Sequence, residues 1–164
     1  MTEITASYYV STLATAIANA NPQITNTIRQ WMQKSDATLT SPLEKTPELK
    51  SILLQLSPWV TEAQNETQQM HSLGELLDVN RQNYISQQAI DKLAELQNED
   101  GGWSWFKGFN SSTFMTENVL EAMARLVSLN VTSHPEKVKK MQIKALQFLD
   151  KQIQESYKHV KTAG

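Results

Sequence analysis

Apolar residues recur at spacings of three and four along most of the chain, and nowhere do they alternate with polar ones over the length of a strand. The first spacing lines one side of a helix, whereas alternation lines one face of a sheet. The chain is therefore expected to be all-α. Five glycines and five prolines in 164 residues also disfavour the many turns of an all-β fold.

Helix breakers divide the pattern. Val10, Leu13, Ala14, Ile17 and Ala20 form one stripe, closed by Asn21-Pro22 because the residue before a proline avoids the helical region. Ile24, Ile28, Trp31 and Met32 form the next. Residues 35–46 are polar, contain Pro42 and read as a loop. Thr46-Pro47 opens a short helix carrying Leu49, Ile52, Leu53 and Leu56, and Ser57-Pro58 opens another, carrying Val60, Ala63, Met70, Leu73, Leu76 and Leu77. A fifth helix covers roughly residues 79–97. A sixth starts near Ser112 or Thr113, and a seventh at Ser133-His134-Pro135 carries Val138, Met141, Ala145, Phe148 and Leu149. Ile143, Leu146 and Ile153 widen the apolar face of that last helix, which predicts neighbours on more than one of its sides. Short connections imply antiparallel helical hairpins within a single domain, residues 1–164.

Composition and motif spacing narrow the chemistry. A formal charge of -2 argues against nucleic acid or an anionic membrane as the main partner. No apolar run approaches the length of a membrane span, and residues 1–10 show no basic-then-apolar export pattern, so this segment is expected neither to insert in a membrane nor to direct export. The absence of cysteine removes disulfides, thiolate nucleophiles and cysteine metal sites. His71, His134 and His159 fall in separate segments without ligand spacing, and His134 is expected beside a helix start. No paired acidic motif, phosphate-cradling glycine loop or Ser-His-Asp set can be assembled. No catalytic residue, metal or cofactor is expected, and the chain reads as a non-enzyme. The lysine-rich stretch 134–164 reads as a solvated helix face.

One segment carries more information than the rest: Gln97-Asn98-Glu99-Asp100-Gly101-Gly102-Trp103-Ser104-Trp105. Gln97 stands at a helix end, where its amide can satisfy orphan backbone groups. Asp100, Gly101 and Gly102 supply the reversal, and Trp103 is placed to fold back into the hairpin. Five aromatics lie between Trp103 and Phe114. They read first as wedges between helices, and second as an exposed contact surface.

This turn resembles the Gln-x-x-Asp-Gly-Gly-Trp turns of α/α-toroid proteins, among them terpenoid cyclases, protein prenyltransferases and the thioester domains of the complement and alpha-2-macroglobulin family. Its continuation through Trp105, Phe106 and Gly108 to Ser111-Ser112-Thr113-Phe114-Met115-Thr116 and Leu120 to Leu126 is similar to the bacterial alpha-2-macroglobulin pattern. The opening residues point the same way. Bacterial members carry Cys-x-Glu-Gln followed by Thr-Ala-Ser at a helix start. Glu3, Thr5, Ala6 and Ser7 match that frame, while Met1 stands at the cysteine position and Ile4 at the glutamine position. Tyr8-Tyr9, Ala14, Ile17-Ala18-Asn19 and parts of 48–60 also look like Bacteroidetes-type members.

The resemblance implies part of a larger α/α-toroid, because a full toroid of this family needs about twice this length. It also implies a parent protein in the periplasm or anchored to the outer membrane, where it inhibits attacking proteases. The partners it implies are the parent's other domains and, for the parent, proteases as targets. With Met1 and Ile4 in those two positions the thioester frame is degenerate, and covalent trapping is not expected. Two rival readings stand beside this one: a helical-repeat scaffold for protein partners, and part of an α/α-toroid enzyme whose carboxylates lie elsewhere.

Overall fold

The structure, a computed structural model, describes residues 1–32 and 66–162. Six helices are found there: α1 Thr2–Ala20, α2 Pro22–Met32, α3 Glu66–Leu76, α4 Val79–Leu96, α5 Thr113–Ser128 and α6 Pro135–Thr162. The protein is all-α. Among the described residues no strand occurs, and the only extended pairing is two isolated bridges, Gln97 with Trp103 and Trp103 with Ser112. The loop expected at 35–46, the short helix begun at Thr46-Pro47, the start at Ser57-Pro58 and the family-like stretch at 48–60 lie outside the described residues.

The chain divides into two compact units. One comprises Met1–Tyr9 with Ser86–Gly164, and the other comprises Val10–Ile85.

In the unit Val10–Ile85, Ala18, Ile28, Leu73 and Leu77 form the core, with Ile17, Ile24 and Val79 packed against it. Each Leu or Ile withdrawn fully from water contributes about 1.5–3 kcal/mol. Asn21 breaks the chain between α1 and α2. The buried Thr25 hydroxyl lies 3.1 Å from both the Ala18 and Asn21 carbonyls, so the corner leaves no unsatisfied hydroxyl. At the next corner Asp78 caps α4, its Oδ1 accepting from the Asn80 and Arg81 amides at 3.1 and 3.2 Å.

In the other unit, α5 and α6 form an antiparallel hairpin. Only residues 129–134 connect them, and a Cβ built on Gly102 would touch both Ser111, just before α5, and Phe148, midway along α6. Ser112 caps α5 by accepting from the Met115 amide. The far end closes with Asn130 in the left-handed region at φ 55, while Val131 donates to the Leu126 carbonyl at 2.9 Å and Asn130 to Val127 at 3.0 Å. This is the double bond pattern of a Schellman cap. His134 begins α6, its carbonyl accepting from the Lys137 and Val138 amides. Met115, Val119, Met123 and Leu126 of α5 and Val138, Met141, Ala145 and Phe148 of α6 are buried.

Two expectations change. In α1 the buried positions are Thr5, Tyr8, Ser11, Thr12, Ala14 and Ala18; Val10, Leu13 and Ile17 are half-buried and Ala20 is exposed. Small hydroxylated residues can take the inner face because they bond within their own helix, as Thr5 does to the Met1 carbonyl at 3.2 Å. In α6 only one face is covered, and Ile143, Leu146 and Ile153 remain exposed. Periodicity records which side chains are apolar; whether a neighbour reaches them depends on the packing.

Candidate contact surface at the Gln97 to Phe114 turn

α4 ends at Leu96, and the chain then reverses through Gly101 at φ 93. Only glycine fits there. A Cβ on Gly101 would come within 2.2 Å of the Lys144 carbonyl oxygen on α6, and one on Gly102 within 2.6 Å of the Ser111 Cβ. The glycines therefore do two things: they permit the positive φ and they let the turn lie directly on α6.

Polar side chains hold that placement. The Gln97 amide donates to the Gly101 carbonyl at 2.8 Å and to the Met141 carbonyl at 3.0 Å, joining the turn to α6. Asp100 Oδ1 accepts from the Gly102 amide at 3.0 Å and from the Ser111 hydroxyl at 2.6 Å. The Asn98 amide donates to the Phe109 carbonyl and to Ser111 Oγ. The structure thus brings Gln97, Asp100, Gly101, Gly102 and Trp103 into one bonded unit.

Trp103 is fully buried. Its indole Nε1 donates to the Leu93 carbonyl at 2.8 Å, its amide donates to Thr116 Oγ1 at 3.0 Å, and its carbonyl accepts from the Ser112 amide at 2.8 Å. Its polar groups are satisfied, so the large ring enters the core without leaving an unpaired donor. Thr116, Ser111 and Asn98 were not singled out from the sequence. The spacing of Ser112 and Thr116, one helical turn apart at a helix start, was the available signal.

The wedge reading describes Trp103 and fails for the other four aromatics. Trp105, Phe106, Phe109 and Phe114 are 51–70 % exposed. They pair among themselves: Trp105 stacks on Phe114 with centroids 5.6 Å apart and planes at 11°, and Phe106 meets Phe109 edge-on at 5.9 Å. The loop around Gly108 is tied back by Lys107, whose ammonium lies 3.1 Å from Glu95. Lys92, and then Lys107, hold the Glu95 carboxyl below the ordinary carboxylate range. The result is an exposed apolar patch on a hydrogen-bonded base with a charged edge.

Met1, Glu3 and Ile4 occupy the opening turn of α1. The Met1 carbonyl accepts from the Ile4 and Thr5 amides, both at 3.1 Å; Glu3 is exposed and Ile4 half-buried. A thioether and a sec-butyl group supply neither the thiol nor the acyl carbon of a thioester. A groove of about 310 Å³ beside this turn lies between α1 and α5, with Thr2, Ala6 and Tyr9 on one wall and Glu121 and Arg125, paired at 2.6 Å, on the other. Among the described residues, no group of three or more His, Asp or Glu side chains could hold a metal ion. No described helix is long and apolar enough to cross a membrane. The chain matches no protein-family model, no curated protein and no solved structure.

Proposed function

We propose that this chain is a non-covalent interaction segment of the helical, toroid-type thioester domain of a bacterial alpha-2-macroglobulin-like protein. In this reading the parent protects the cell envelope from proteases, in the periplasm or anchored to the outer membrane. The observation that carries the reading is the turn from Gln97 to Trp105, whose residues resemble the family pattern and whose geometry mounts four exposed aromatics on a bonded base. Aromatic residues are enriched where protein surfaces meet, because they bury much area at little cost in side-chain entropy. The absence of cysteine removes thiol and thioester chemistry from the chain.

The test uses the chain and its enclosing reading frame. Intact mass after methylamine treatment is expected to be unchanged, and the full parent is expected to slow a protease's attack on large substrates without forming a covalent conjugate. Replacing Trp105, Phe106 and Phe114 by alanine should weaken that protection. A methylamine adduct would overturn the non-covalent reading. A parent without flanking β-sandwich domains and without effect on proteolysis would overturn the family reading. The exposed aromatics would then favour the second reading, a helical scaffold for other protein partners.

A further inference from the structure

We draw no further inference here: the strongest candidate, the cleft of about 580 Å³ between α2 and the α3–α4 corner, lined by Arg29, Glu75, Asp78 and Arg81, carries nothing, because Arg81 is already paired with Glu75 at 2.9 Å, Asp78 caps α4, and nothing in the structure shows what would occupy it.

Discussion

Trp103 and Trp105 are two residues apart in sequence, yet one is sealed in the core and the other lies open on the surface. Around Trp103, the Gln97 to Ser104 half of the turn is cross-braced by Gln97, Asp100 and Thr116 and lies against α6. Around Trp105, the rings are held by one another, Trp105 stacked on Phe114 of α5 and Phe106 edge-on to Phe109, with the loop tied back through Asn98 and Lys107. Neighbouring positions of identical chemistry therefore serve different ends. The first half holds two helices in place, and the second presents a surface.

The sharpest way to break this comparison is to truncate each indole in turn. Trp103→Ala should cost about 3–5 kcal/mol, from lost burial and the cavity left behind. Trp105→Ala should cost below about 1 kcal/mol, because only an exposed stack is lost. Denaturant melts of the two variants measure both; equal midpoints would erase the distinction between the halves.

The glycines offer a second contrast. Gly101→Ala should destabilise by about 2–4 kcal/mol, combining a strained positive φ with a clash against the Lys144 backbone. Gly108 has φ 85 but open space around it, so Gly108→Ala should cost only about 1 kcal/mol. A smaller effect is expected from Asp100→Ala, at about 1–2 kcal/mol, since the Gly102 amide and the Ser111 hydroxyl lose their shared acceptor. Its proper readout is faster amide exchange in the turn.

The smallest effect is electrostatic. Glu95 is held below the ordinary carboxylate range, by Lys92 first and Lys107 second, and Asp91 likewise by its hydrogen bond from Lys137 and then by Gln87. Depressed carboxyls contribute stability that is present above their unfolded pKa, about 4, and is lost as pH falls through the folded value. Carboxyl carbon NMR should show each titrating below the ordinary value of its own residue type. Lys92→Gln should raise Glu95 more than Lys107→Gln does, and salt should shrink both differences because the groups are exposed.

Much of the fold was legible in the sequence because its signals are local. Asn21-Pro22, the glycines at 101 and 102 and Ser133-His134-Pro135 each act on their own backbone; helix boundaries fall at the first and third, and the glycines turn the chain between the α4 end at Leu96 and the α5 start at Thr113. Gln97, Asp100, Gly101, Gly102 and Trp103 could be named for the same reason, since the C-terminal end of a helix leaves carbonyls that need donors and a reversal needs glycine. The fate of the other aromatics was not legible. Trp103, Trp105, Phe106, Phe109 and Phe114 look alike to any reading of hydrophobicity, and only the approach of Leu93, Thr116 and Ser112 around one ring separates them.

By itself, then, the sequence determined that the chain is helical, where several of its helices begin and end, and that thiol chemistry is unavailable to it. Those properties follow from backbone sterics, side-chain spacing and elemental composition, each local to a few residues. The tertiary structure alone decided that one indole is core and its neighbour surface, that small hydroxylated residues line the inner face of α1, and that Ile143, Leu146 and Ile153 of α6 are left uncovered. Burial is a property of which elements arrive beside a side chain, and that depends on contacts between residues far apart in the chain.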